Sequence, residues 1–186
     1  MEPVLLEKKG PIGWLVLNRP EQRNALSLEL MNEMIKKLNI VSKDKDLHVL
    51  IIKGNGPAFC TGHDINELSA EKYDIDHFRE VFSVCSKLMQ NLHEMPQPVI
   101  AQVHGVATAA GCQLVASCDL AIAEKGAKFS TPGLKIGLFC STPMIPLSRV
   151  IGRRRALDML LTARFVSADE AERFGLVNKV VELDKL

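Results

Sequence analysis

Two near-continuous apolar runs, Leu47-His-Val-Leu-Ile-Ile-Lys53 and Val99-Ile-Ala-Gln-Val103, leave this chain few folds to adopt. Neither alternates cleanly between polar and apolar, so each reads as a strand buried on both faces. Helices must then cover them, and two long amphipathic patterns are at hand. Behind the N-cap candidate Ser27, Leu28, Met31, Met34/Ile35, Leu38 and Val41 recur at helical spacing. Phe78, Val81/Phe82, Cys85, Leu88/Met89 and Leu92 do the same before Pro96 and Pro98 stop the helix. Shorter strands are predicted over Val4–Glu7 and Trp14–Leu17, around the turn signal Gly10-Pro11-Ile12-Gly13. Asn18 to Asn24 is a polar loop. A helix follows from Gly111 to Ser117, a strand over Leu120–Ala123, helices over Arg153–Leu161 and Ala168–Phe174, and a last strand over Val177–Val181. Strands alternating with helices predict an α/β class with parallel pairing.

The chain has 186 residues, 47% of them apolar, enough for one domain with a sizeable core. A net charge of +1 and a single dense basic run, Arg153-Arg154-Arg155, argue against nucleic-acid binding. That run reads as a solvated helix start. Five cysteines (60, 85, 112, 118 and 140) contain no CxxC and sit mostly in apolar runs. They suit reduced thiols in a cytoplasmic setting, and no spacing suggests a metal site. Met1 to Lys9 lacks a signal-peptide core, and no apolar run is long enough to span a bilayer, so no membrane partner is expected.

The chemistry concentrates in two small-residue turns, Phe59-Cys-Thr-Gly-His-Asp-Ile-Asn-Glu-Leu68 and Gly105-Val-Ala-Thr-Ala-Ala-Gly-Cys-Gln113. Each leads from an apolar strand into a helix. Such turns expose backbone N–H groups at a helix N-terminus, where negative charge is favoured. Two of them converging on one point would form an oxyanion hole able to stabilise a thioester enolate.

With Asn18-Arg-Pro…Arg23-Asn-Ala-Leu-Ser, Ser117-Cys-Asp-Leu-Ala-Ile-Ala and Ser167-Ala-Asp-Glu-Ala…Gly-Leu-Val, these loops make a specific combination. The chain resembles the crotonase, or enoyl-CoA hydratase/isomerase, superfamily. The resemblance implies a ClpP/crotonase-like spiral of ββα units, usually assembled as homotrimers or hexamers. It implies an acyl-CoA thioester as partner, with coenzyme A entering as part of the substrate and no separate cofactor. By the same mapping His63 and Ala110 give the two oxyanion N–H groups. Asp64, Ile65 and Asn66 map to the acyl-CoA channel, and Arg23, Ala25 and Leu26 to the loop near the adenine and phosphates. Residues 1–186 are expected to form a single core domain without the C-terminal helical region usual in the family.

Hydration of a 2-enoyl-CoA needs a nucleophilic water and a proton donor, for which the hydratases of the superfamily use two glutamates that share one water. The resemblance maps those positions to Gln113 and Gly133 in this chain. A glutamine amide exchanges no proton near neutral pH, and glycine has no side chain. Ordinary hydration is therefore expected to be weak or absent, and Gly133 equally denies a base to a Δ3-Δ2 isomerase. His63 is the alternative group, able to titrate near neutrality. Gly62-His63-Asp64 also resembles the decarboxylase branch of the superfamily, which suggests a malonyl-type substrate. Cys140 is a further acyl-pocket candidate, with no evident neighbour to lower its pKa. Glu67, one helical turn after His63, could orient that imidazole or favour the helix start. A non-catalytic acyl-CoA-binding or assembly module is the third reading.

Overall fold

The computed structural model describes residues 2–70 and 74–186. The chain opens with a hairpin of β1 (Val4–Lys9) and β2 (Ile12–Leu17), with Val4 opposite Leu17 and Lys9 opposite Ile12. A 3-10 turn (Pro20–Gln22), α1 (Leu28–Val41), β3 (Val49–Gly54), α2 (Ile65–Ala70) and α3 (Ile75–His93) come next. After them run β4 (Val99–Val103), β5 (Val106–Thr108), α4 (Ala110–Ser117), β6 (Leu120–Glu124) and β7 (Lys128–Ser130). A 3-10 turn (Pro132–Ile136), α5 (Ser141–Ile151), α6 (Arg153–Thr162), β8 (Val166–Ser167), α7 (Ala168–Phe174) and β9 (Lys179–Val181) follow.

The strands form two sheets. The larger has six strands in the order β1-β2-β3-β4-β6-β9, and the smaller has three in the order β5-β7-β8. From β2 to β9 every pairing in the large sheet is parallel, as the alternation of elements predicts. The expectation of parallel pairing fails at β1–β2 and at β7–β8, which are antiparallel. The first of these has only a tight turn between its strands, and a parallel pair needs a crossover.

The amphipathic stripes are buried as their spacing requires. Ser27 Oγ accepts from Leu30 N at 3.2 Å and starts α1, which buries Leu30, Met31, Met34, Ile35, Leu38 and Val41. Asp74 caps α3, which buries Val81, Cys85, Leu88, Met89 and Leu92. The buried side chains of both helices join the sheet residues Leu15, Leu17, Leu50, Ile52, Val99 and Ala101 in one apolar core. Full burial of each Leu, Ile or Val side chain among them contributes about 1.5–3 kcal/mol. All eight residues of α4 are buried, which places this helix at the centre of the molecule.

Between β4 and β5 the chain leaves one sheet for the other through His104 and Gly105. Gly105 has φ +59°, and a Cβ there would lie 2.3 Å from Pro57 O, so only glycine can make the crossing. Two parts of the fold carry no local signal in the residue pattern. The helix α5 carries Pro143 and Pro146, which suppress a helical reading, although a first-turn proline such as Pro143 is tolerated. The strands of the small sheet have only two or three residues each, too few for a periodic signal.

Candidate active site

The segment from Phe59 to Asp64 is an irregular strand laid between two others. On one side Phe59 N donates to His104 O (3.1 Å), Cys60 N to Val106 O (3.2 Å), and Thr108 N to Cys60 O (3.0 Å). Thr108 Oγ1 adds a bond to Thr61 O at 3.0 Å. On the other side Leu26 N donates to Gly62 O (2.7 Å) and Asp64 N to Leu26 O (3.0 Å), a parallel bridge between residues 26 and 63. Because the flanking groups of 62 and 64 turn toward Leu26, the N–H of His63 itself turns the opposite way. It meets no acceptor among the described residues.

The second loop brings a matching group. Ala109 N donates to Ser130 O at 2.9 Å, which anchors the turn, and Ala110 begins α4. No side chain caps this helix, so the Ala110 N–H is an orphan donor inside the molecule. A buried, uncapped helix start needs an explanation, and a site for developing negative charge supplies one. Ala109 sits at φ 50°, ψ −120°, a region that L-residues avoid. Gly62 (φ +101°) lets the loops close. A Cβ there would stand 2.8 Å from Ala109 Cβ and 3.3 Å from Ala110 N. Gly111 permits the same approach from the helix side, since a Cβ would meet Cys60 O at 2.1 Å.

His63, Ala110, Gly133 and Cys140 line one cleft of about 570 Å³. Its walls are mostly apolar, with Phe82, Leu138 and Phe139 prominent. The His63 ring meets Phe82 edge-on, with centroids 5.2 Å apart. Its Nε2 is sealed from solvent without a partner among the described residues. Burial pushes this imidazole down to about 4, so near neutral pH it is uncharged and cannot serve as an imidazolium acid. Gly133 has no room for a side chain. A Cβ would lie 2.7 Å from Leu138 O and 2.8 Å from the Cys140 thiol, which already contacts Gly133 N at 3.3 Å. Burial raises the Cys140 thiol above its ordinary range, which opposes a nucleophilic role.

Gln113 does not line this cleft. Its side chain faces a neighbouring one between α3, α4 and α5, and its Oε1 lies 4.0 Å from Cys85 Sγ. Ile65 lines the cleft of His63 and Ala110, whereas Asp64 and Asn66 do not. Asp64 is buried in an ion pair with Arg19 (3.1 Å), and its other oxygen accepts from Asn66 N (3.1 Å). Ala25 and Leu26 are buried supports of the His63 segment, and the Arg23 carbonyl accepts from Thr61 Oγ1 at 3.3 Å. Glu67 turns away from His63. It accepts from Leu28 N at 2.9 Å at the start of α1, and so does not orient the imidazole as its spacing suggested. Lys135, Phe82, Leu138 and Phe139 belong to the cleft and were missed. They sit on segments whose loop and helix signals carry no hint of what faces them. Among the described residues, no helix is long and apolar enough to cross a membrane.

The sequence model of the family described as Enoyl-CoA hydratase/isomerase matches residues 7–186. The enoyl-CoA hydratase domain-containing protein 3, mitochondrial, of Danio rerio is 47% identical over 98% of this chain and 63% of its own length. The chain thus spans about six tenths of that relative. The crystal structure of human enoyl-CoA hydratase domain-containing protein 3 superposes with a TM-score of 0.95 at 45% identity, over 98% of this chain and 72% of that one. An enoyl-CoA hydratase structure from Mycobacterium smegmatis gives a TM-score of 0.96 at 43% identity, over 99% and 72%.

Proposed function

The chain belongs to the enoyl-CoA hydratase/isomerase family and has its crotonase-like fold, and from that premise we propose that it holds an acyl-CoA thioester carbonyl on the N–H groups of His63 and Ala110. One observation carries this reading. Both N–H groups lack an acceptor among the described residues, and both residues line the same apolar cleft. Negative charge developing on the thioester oxygen would be stabilised there more strongly than in water. Hydration would be slow. Gln113 and Gly133 bring no carboxylate, and acid–base groups contribute about 10²–10⁴-fold each.

A second reaction is favoured by the state of His63. Uncharged and walled by Phe82, it can donate one hydrogen bond without supplying a proton. Decarboxylation of a malonyl-type thioester suits such a site. The bond to the carboxylate carbon breaks, its electron pair becomes the enolate, and water later protonates the α-carbon. Apolar surroundings favour loss of the charged carboxylate as CO2. Binding without turnover, as in an acyl-CoA carrier or an assembly module, is the remaining reading. The five free cysteines fit a reducing compartment. The Danio rerio relative is named mitochondrial, which argues against confining that compartment to the cytoplasm.

The test is incubation with crotonyl-, 3-enoyl-, acetoacetyl- and methylmalonyl-CoA, followed by mass spectrometry of bound and converted species. The expected result is thioester binding, with crotonyl-CoA hydration at least about 10²-fold below a typical turnover of about 10 s⁻¹. Ala110→Pro removes one donor at a helix position that accepts proline, and should abolish any conversion while circular dichroism stays native. Hydration at an ordinary rate would overturn the account of Gln113 and Gly133. Conversion that survives Ala110→Pro would overturn the oxyanion assignment.

A further inference from the structure

Beside the thioester cleft lies a second, of about 410 Å³, between α3, α4 and α5. The two share Ser141 and Thr142, so they lie side by side at the start of α5. Their linings differ in kind. In the second cleft Gln113, Ser117, His93 and Arg149 stand among apolar side chains such as Met89 and Ile145. Ser117 is only 2% exposed, and its sealed hydroxyl bonds no described residue. Gln113 is 6% exposed, and its one side-chain contact is the long approach of the Cys85 thiol, which leaves its amide N–H donors unused. No ion pair joins Arg149 to a described residue; the arginines so engaged are Arg19, Arg79 and Arg164. Among the described residues, no carboxylate lines this cleft.

A plain hydrocarbon tail would leave the Gln113 amide without a partner, and buried polar groups are normally paired. An amide donor and a guanidinium charge, with no acid beside them, call for an anion that presents several acceptor oxygens. The planar fork of arginine matches a carboxylate. We infer that the second cleft receives the far end of an acyl group terminating in a carboxylate, so that the preferred ligands are CoA monothioesters of dicarboxylic acids. This rests on the acyl-CoA reading given above and adds the substrate class to it.

The test compares matched pairs by equilibrium binding: glutaryl- with pentanoyl-CoA, adipoyl- with hexanoyl-CoA, and free CoA as reference. Wild type, Arg149→Gln, Arg149→Lys and Ser117→Ala are measured, with folding checked by circular dichroism. The carboxylate-bearing member of a pair should bind about 10-fold more tightly in the wild type. That ratio should fall toward one in Arg149→Gln, fall partway in Arg149→Lys, and stay unchanged in Ser117→Ala, whose hydroxyl is sealed from the cleft. Arg149 is exposed, so its replacement leaves the core intact. Equal affinities within each pair, or a preference that persists in Arg149→Gln, would overturn the carboxylate subsite alone. If no acyl-CoA binds more tightly than free CoA, the acyl-CoA reading itself falls.

Discussion

His63 has two separate parts, a backbone N–H and a ring, and only one of them was legible in the sequence. The family motif around Gly62 points to its backbone N–H as a donor, and the bridge to Leu26 turns that N–H away from Leu26. The burial of its ring against Phe82 could not be read, because the partner lies on a distant helix face that looks like ordinary core. The consequence is a pH effect with a definite sign. The unfolded imidazole takes a proton below about 6.5, while the folded one resists until about 4. Between those values the unfolded state holds more protons, so stability falls as the pH is lowered through the window. The loss reaches at most about 3 kcal/mol. Denaturant titrations of wild type and His63→Gln at a series of pH values should diverge there, the variant giving the flatter curve. Parallel curves would mean that the ring is not held away from water. At Gly133 the sequence showed the missing carboxylate but not its cause in space. The Cys140 thiol and the Leu138 carbonyl fill the volume that a side chain would need.

Among the elements, the start of α4 is the most consequential. Ala109 holds a conformation that favours glycine, and the Ala110 donor follows it directly. Backbone strain at this point fits a site in which geometry outranks stability. Ala109→Gly should therefore stabilise the fold by about 1 kcal/mol, measured as a higher denaturant midpoint with an unchanged slope. A destabilised variant would show that the methyl group of Ala109 packs more favourably than its backbone is strained. The long helices α1 and α3 were read correctly because their stripes obey one period throughout. Pro143 and Pro146 hid α5, and with it the wall common to both clefts.

At the scale of the molecule, two sheets meet where the 59–64 segment touches β5, and the clefts open beside that seam. The alternation of strands and helices made the α/β class legible, whereas the division into two sheets turns on Gly105, one residue with no periodic signature. Several apolar side chains at the cleft mouth stay open to solvent, Ile136 at 62% and Leu138 at 57% among them. The strand order of the large sheet, β1-β2-β3-β4-β6-β9, never reverses. Each new strand therefore joins an edge that is already in place, and no later segment has to be inserted between earlier ones. A chain leaving the ribosome can dock its turns in the order of their synthesis. Arrest-peptide force profiles should accordingly show separate pulls as β4 and then β6 clear the exit tunnel; a single pull after β9 would contradict this. The molecule can thus be assembled as it is made, like a coil wound from one end.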